Sequence, residues 1–279
     1  MRSDGGRGVN LRPAQGAPVA AVLALLLVLA QIAYPLTDGT ARDRVTTLVV
    51  VLLACTALAH AAAALGAAYG LRTLAILSGI GLLSELIGTA TGYPFGCYGY
   101  AVGKLTPALA DVPLAVPLAW TGGIYPVWVV AGLLCRTPLA RIPLTAAGAV
   151  GWDLFLDPQM VGDGQWSWCV TDAGLPGLPA IPLTNYLGWF LVALLMGALM
   201  TASERRAKRG RDAAGAGPAV PVAVFLWTWL GSALAHLAFL GLPWSAGYGL
   251  LGMGLLGVPL LVRGVREFAR DRAARRFAS

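Results

Sequence analysis

Long apolar segments alternate with short polar ones along most of the chain. The apolar segments lie at about 19–36, 45–69, 73–92, 113–134, 142–160, 181–202, 218–241 and 244–262. An α-helix needs about 20 apolar residues to cross the hydrocarbon core of a bilayer. The pattern therefore predicts an all-α, polytopic integral membrane bundle with about eight transmembrane helices. Seven helices stay possible, because only Gly241, Leu242 and Pro243 separate the last two segments.

The composition agrees with this class of protein. Of the 279 residues, 57% are hydrophobic and 12% are charged, and the mean hydropathy is +0.71; soluble domains carry about 25% charged residues. The first apolar segment is longer than the h-region of a signal peptide, and we interpret it as an uncleaved helix. The predicted organisation is an N-terminal tail (1–18), a single transmembrane domain (19–262) and a basic C-terminal tail (263–279).

The basic residues predict how the chain is oriented. Seventeen of the 20 lysines and arginines fall in alternate polar segments. These segments are the tail 1–18, the turn 70–72, the loops 135–141 and 203–217, and the tail 263–279. The positive-inside pattern then places both termini in the cytoplasm of a multi-pass protein of the cytoplasmic membrane. It also explains the net charge of +7 without nucleic-acid binding, and it predicts contacts with anionic membrane lipids.

Three acidic residues, Glu85, Asp153 and Asp157, lie inside the apolar segments. A carboxylate at membrane depth is costly and marks a functional site by default. Asp153 and Asp157 are four residues apart and share one face of a helix. In the predicted topology all three lie near the outer membrane surface. A buried carboxyl beside another favours its protonated form, which suits a proton donor. The alternative is that they cap helix ends or pair with interfacial arginines.

Aromatic residues surround these acids in the sequence. The segment GTATGYPFGCYGY (88–100) follows Glu85, and its glycines suggest close backbone approach or a re-entrant loop over a cavity. The aromatic residues are either an interfacial belt or a pocket wall whose π faces stabilise a carbocation. The candidate substrate-binding residues are Tyr93, Phe95, Tyr98, Trp120, Trp152, Trp166, Trp168 and Asn185.

The histidines and cysteines show no metal-binding spacing, so we predict no zinc or iron–sulfur site. His60 and His236 are interpreted as helix–helix hydrogen-bond partners. Cys97 and Cys169 are interpreted as small apolar fillers, with a disulfide as the alternative. For Asn185 we favour a cap of the sixth helix, and the alternative is that it positions water or an acid.

In combination, these motifs resemble the membrane carotenoid-biosynthesis family, whose members of the CruF type are carotenoid 1,2-hydratases, including bisanhydrobacterioruberin hydratases. The resemblance rests on Glu85 with TGYPFGCYGY, on GWDLFLDPQM with the following WSW, and on NYLGW at 185–189. It covers roughly residues 70–200. It implies that an acyclic carotenoid end group is hydrated.

Chemistry then suggests the roles. Asp153 or Glu85 protonates C2 of the terminal double bond, and aromatic rings stabilise the tertiary cation at C1. Water, oriented by Asp157 or Asn185, adds to give a tertiary alcohol. The reaction needs no cofactor and no metal. The expected partners are an acyclic carotenoid, water and membrane lipids, and a complex with other carotenoid enzymes stays open.

Two alternative functions stay open. The spacing DLFLD is a DxxxD motif, and paired aspartates bind magnesium diphosphates in intramembrane prenyltransferases of the UbiA type. Those enzymes carry two such motifs beside basic residues, whereas this chain has one motif and no basic cluster next to it. A non-catalytic transporter or scaffold for lipids or carotenoids is the other alternative, although no internal repeat is visible.

Overall fold

The computed structural model describes residues 18–171, 173–209 and 215–277, and the side chains up to residue 270. Within this part of the chain, eight helices are long and apolar enough to cross a membrane. They are α1 (Pro18–Ala33, followed by a 3₁₀ turn, Tyr34–Leu36), α2 (Gly39–Leu65), α3 (Ala67–Thr91), α4 (Ala115–Leu134), α5 (Pro138–Gly162), α6 (Leu183–Lys208), α7 (Ala219–Ala238) and α8 (Pro243–Phe277). The predicted all-α membrane bundle is confirmed, with eight helices rather than seven.

One predicted boundary is wrong. The turn between the second and third helices lies at Gly66, not at 70–72, because Gly66 has a φ of 93° that a residue with a side chain rarely adopts. Arg72 therefore lies inside α3. At the other end of the chain, α8 runs without a break to Phe277, so the predicted tail 263–279 is largely a continuation of this helix. Most of the N-terminal tail, and Asp172 of the loop 161–180, lie outside the described residues.

The helices α4 and α5 form the centre of the bundle. α5 packs against α4, α6 and α8, and α4 also packs against α2, α3 and α7. Large aromatic side chains such as Trp120, Trp128 and Phe155 are almost fully buried there. Leucines on the outward faces of other helices are exposed, among them Leu83 on α3 and Leu251 on α8. This is the arrangement expected when lipid rather than water surrounds the bundle.

A layer of short strands covers the end of the bundle at which α3 and α5 finish. The strands are β1 (Tyr98–Tyr100), β2 (Ala108–Leu109), β3 (Val112–Pro113), β4 (Trp166–Trp168), β5 (Gly174–Leu175) and β6 (Leu178–Pro182). They pair antiparallel as β1 with β4, β2 with β3 and β5 with β6. The segment that follows Glu85 is therefore part of a cover over the helix ends rather than a re-entrant loop.

A disulfide joins the two segments of this cover. Cys97 and Cys169 flank the β1–β4 pair, and their Cα atoms are 5.3 Å apart in the bonded pair. Our interpretation of these cysteines as apolar fillers is wrong, because the antiparallel register brings together two residues 72 positions apart. Disulfides persist in oxidising compartments. The bond thus supports a topology in which the strand layer lies outside the cytoplasm.

The orientation is open to direct measurement. An even number of helices brings both ends of the chain to the same side of the membrane. We therefore expect both termini in the cytoplasm, and the loop 161–180 between α5 and α6 outside. A reporter that is active only outside the cytoplasm should be inactive when fused after Ser279 and active in that loop. Activity of the fusion at Ser279 would contradict the proposed orientation.

Candidate active site

The three intramembrane acids gather beneath the strand layer, beside one large cavity. The cavity, including its open mouth, has a volume of about 1400 Å³. Its lining includes Glu85, Asp157 and Asn185, and no lysine, arginine or histidine of the described part of the chain belongs to it. Eleven aromatic side chains line it: Tyr34, Phe95, Tyr98, Tyr100, Trp120, Trp152, Phe155, Trp166, Trp168, Trp189 and Trp227. The site therefore combines carboxyl groups with an aromatic wall.

Glu85 is held by three hydrogen-bond donors. Its Oε2 accepts hydrogen bonds from the hydroxyls of Tyr98 at 2.5 Å and Tyr100 at 2.7 Å, and its Oε1 accepts one from Trp120 Nε1 at 3.0 Å. The side chain is buried in the last turns of α3. Because every bond places Glu85 as the acceptor, the arrangement suits a carboxylate more than a carboxylic acid.

The two tyrosines belong to β1, outside the spanning helices. Burial raises the pKa of both hydroxyls, and the neighbouring Glu85 carboxylate raises each pKa further. Tyr98 and Tyr100 therefore remain protonated donors to Glu85 at physiological pH. Tyr100 was not among our candidate site residues, although it stands two positions after Tyr98 and points to the same face of the strand.

Asp153 and Asp157 form a pair bridged by one amide. The side-chain nitrogen of Asn185 donates to Asp153 Oδ2 at 2.9 Å and also to Asp157 Oδ2. Asn185 therefore holds the two Oδ2 atoms close to each other. Two buried carboxyl groups so close repel each other when both are charged, which favours a single proton held by the pair. Asn185 lies in the first turn of α6 without capping it, and our preference for a capping role is wrong.

The two aspartates differ in what they face. Asp157 lines the cavity, and its Oδ1 accepts a hydrogen bond from Trp166 Nε1 at 3.1 Å. Asp153 is fully buried one helical turn deeper and is absent from the cavity lining. Its Oδ1 has no partner among the described residues. Asp157 is therefore the member of the pair that a bound molecule can touch.

Glycines let the aromatic wall approach the helices closely. Trp120 stacks on Trp189 with ring centroids 3.8 Å apart. A Cβ at Gly81 would lie 2.7 Å from the Trp120 ring, and one at Gly123 would lie 2.1 Å from the Trp152 ring. Larger residues at these two positions would displace the rings. Trp189 was missing from our candidate residues, although the NYLGW motif contains it.

The remaining candidate aromatic residues divide between the cavity and the surface. Phe95 is buried in the cavity wall, and its carbonyl accepts a hydrogen bond from Trp168 Nε1 at 3.0 Å. Tyr93 is 77% exposed and does not line the cavity. The turn at 93–95 leads the chain from Tyr93 at the surface back to Phe95 inside.

Helices outside the motif region complete the cavity. Val49, Val50 and Leu53 of α2 and Trp227 of α7 give it an apolar extension. Gln159 of α5 also lines it. Periodicity alone does not indicate these residues, because apolar positions on a membrane helix look alike whether they face lipid or a cavity.

Both histidines make bonds between helices, as expected. His236 lies within 3.0 Å of Gln159 Oε1 through Nε2 and within 2.8 Å of Ser245 Oγ through Nδ1. His60 contacts the Tyr125 hydroxyl at 2.9 Å. The fold therefore uses the histidines to connect helices, and His236 holds one residue of the cavity wall.

The alternative in which the acids pair with interfacial arginines finds no support in these contacts. Arg42, at the start of α2, forms its salt bridge with Asp163 at 2.8 Å. Asp163 lies at the end of α5 and is not part of the cavity lining. The partners of Glu85 and Asp157 are instead hydroxyl, indole and amide groups, which are neutral.

Comparisons with known proteins identify the family of this chain. No solved structure matches the chain. The chain is similar to the bisanhydrobacterioruberin hydratase of Haloarcula japonica, with 32% identity over 119 residues. This match covers 40% of the chain and 39% of the hydratase, so the chain spans about two fifths of the length of this relative.

A family model covers a larger part of the molecule. The model of the carotenoid biosynthesis protein family matches residues 46–256. This range includes the helices α3–α7 with the strand layer and all three intramembrane acids. The chain therefore belongs to the carotenoid biosynthesis protein family.

Proposed function

We propose that this protein is a carotenoid hydratase that adds water across the terminal 1,2 double bond of an acyclic carotenoid end group. The observation that carries the proposal is the pair Asp153–Asp157, bridged by Asn185 at the edge of an aromatic cavity. Family membership and the similarity to a named hydratase support both the carotenoid and the hydration.

In the proposed mechanism, the proton rests on Asp153, whose Oδ1 accepts no hydrogen bond from the described residues. It passes to Asp157, which faces the cavity and delivers it to the substrate. The π electrons of the terminal double bond form a new C–H bond at C2, and the tertiary cation develops at C1. The oxygen of a water molecule then bonds to C1, and the resulting oxonium returns a proton to the aspartate pair. The product is a tertiary alcohol, and the protein ends the cycle unchanged. Asp153 is proposed to share this proton with Asp157 from its position one helical turn deeper. Asn185 is proposed to keep the two carboxyl groups together.

Glu85 is assigned a different role in this proposal. A carboxylate that accepts three hydrogen bonds is a poor proton donor, but it is a fixed negative charge in the wall of the cavity. We propose that it stabilises the cation at C1, together with the faces of nearby indole rings such as those of Trp152 and Trp166. Electrostatic groups of this kind act strongly because they are already oriented in a site of low polarity.

The shape and polarity of the cavity support a long apolar substrate. The carboxyl groups lie at one part of the wall, and the extension between α2 and α7 is lined mainly by apolar side chains. A polyene fits such a surface because burial of apolar area is favourable. We propose that the chain of the carotenoid occupies the extension and that its end group reaches Asp157.

No lysine or arginine within the described ranges lines the cavity, and this favours the hydratase over a prenyltransferase. A diphosphate carries several negative charges, and intramembrane acids without nearby cations would repel it unless magnesium were bound. Hydratase activity is expected to survive EDTA. Complete loss of activity that magnesium restores would instead support the prenyltransferase alternative.

Expression in a host that accumulates lycopene or a longer acyclic carotenoid tests the proposed function. We expect carotenoids whose mass has increased by one water for each hydrated end, measured by liquid chromatography and mass spectrometry. A host with an empty vector provides the control. Unchanged carotenoids at verified expression would contradict the proposal for that substrate, and a prenylated product would contradict the reaction class.

A further inference from the structure

A second cavity lies at the opposite end of the bundle, where α4 ends, α5 begins and α6 ends. Its volume is about 510 Å³, including the open mouth. Among the residues that the structure describes, four basic side chains and one acid, Glu204, line it. These four are Arg136, Arg141, Arg205 and Lys208. The charge of its lining is therefore opposite in sign to that of the cavity beside Glu85 and Asp157.

Glu204 is fully engaged by neighbours. Its Oε2 accepts hydrogen bonds from Arg141 Nη1 at 2.8 Å and from Trp128 Nε1 at 3.1 Å, and its Oε1 accepts one from Lys208. Arg141 also donates to the carbonyl of Trp128 and lies 3.4 Å above the centre of its ring. The charge of Glu204 is therefore already paired with Arg141 and Lys208, and neither Arg136 nor Arg205 forms a salt bridge with it.

The side chains of Arg136 and Arg205 have no hydrogen-bond or ion-pair partner among the described residues. Both are exposed at the wall of the cavity. Thr137 and Pro138, at the start of α5, also line the cavity. Thr137 caps the helix by accepting a hydrogen bond from Ala140 N at 3.3 Å. The start of a helix carries partial positive charge. Two guanidinium groups without a partner among the described residues therefore offer a phosphate both positive charge and hydrogen-bond donors.

We propose that this cavity binds a phosphate group, carried by the headgroup of an anionic membrane lipid or by a soluble phosphate ester. Basic cavities between transmembrane helices near the cytoplasmic surface recognise anionic headgroups in this way. Arg136 and Arg205 provide the bidentate contacts, and the bound phosphate links the α4–α5 loop to the end of α6. The site is independent of the proposed hydratase reaction.

Ligand-dependent thermal stability of the purified protein tests this site. In a neutral detergent, we expect saturable stabilisation by phosphatidylglycerol or by inorganic pyrophosphate, and none by phosphatidylcholine. The double variant Arg136→Gln/Arg205→Gln should bind the effective ligand about 25-fold more weakly, roughly fivefold for each arginine. Arg206→Gln is the matched control, because Arg206 is exposed on the same helix but does not line the cavity.

Both probes have defined outcomes. Stabilisation by phosphatidylglycerol alone identifies a lipid headgroup as the ligand, and stabilisation by pyrophosphate alone identifies a soluble phosphate. Either result supports the site if the double variant loses the stabilisation. The replaced side chains make no contact that folding needs, and circular dichroism with gel filtration verifies the folded state. Absence of stabilisation by both probes, or equal weakening in the double variant and Arg206→Gln, would overturn the proposal.

Discussion

Replacing Asp157 by asparagine is expected to abolish most carotenoid hydration. The asparagine side chain keeps the size of the aspartate but has no proton that it can donate to a double bond. General acids contribute about 10²–10⁴-fold to a reaction rate, so the loss should lie in that range. Asp153→Asn should also cause a large loss, because it removes the second carboxyl of the pair. The measurement is the rate of hydrated carotenoid formation in membranes at matched protein amounts.

Asp111→Asn is the matched control for these variants. Asp111 is exposed on the same side of the bundle, in the turn between β2 and β3, and is not part of the cavity lining. Its φ of 66° is one that asparagine accepts readily. Activity should remain near that of the unmodified protein. If Asp157→Asn and Asp153→Asn both retained such activity, the proposed proton donor would be wrong even if the protein hydrates carotenoids.

Replacing Glu85 by glutamine should reduce hydration by about 10²-fold while leaving the protein folded. Glutamine can keep the local hydrogen bonds, because its oxygen can accept from Trp120 and its nitrogen can donate to the oxygens of Tyr98 and Tyr100. The substitution therefore removes the negative charge with little other change. The expected effect is on the turnover rate, measured at saturating carotenoid, with the unfolding temperature as the measure of structure.

Two further variants separate charge from hydrogen bonding. Tyr100→Phe removes one donor to Glu85 and keeps the carboxylate, so we expect a smaller loss of activity than for Glu85→Gln. Glu267→Gln removes a carboxylate on α8 that pairs with Arg263 at 2.9 Å, far along the chain from the cavity, and should leave activity unchanged. A Glu85→Gln variant with normal turnover would contradict the proposed stabilisation of the cation.

Local patterns in the sequence were sufficient for the overall architecture. Hydrophobic length predicts the eight helices, because each helix satisfies its own backbone hydrogen bonds and needs only enough apolar residues to cross the bilayer. Charge at membrane depth identifies Glu85, Asp153 and Asp157, because few uncompensated acids are tolerated there. Because successive helices cross the membrane in opposite directions, all three acids then lie at the same end of the bundle.

The roles of individual residues depend on contacts between distant segments. Periodicity puts Asp153 and Asp157 on one face, but only the packing of α6 sets Asn185 between them and leaves Asp157 alone toward the cavity. In the same way, the pairing of β1 with β4 forms the Cys97–Cys169 disulfide. A residue's spacing along a helix does not reveal which neighbour it will meet.

The sequence by itself therefore determined that this protein is an eight-helix membrane bundle with three acids in one layer, because hydropathy and buried charge are properties of single segments. The tertiary structure alone decided that Glu85 accepts three hydrogen bonds, that Tyr93 lies at the surface, and that α2 and α7 extend the cavity. These features depend on side chains from segments far apart in the chain, whose distances and orientations are set only when the helices pack.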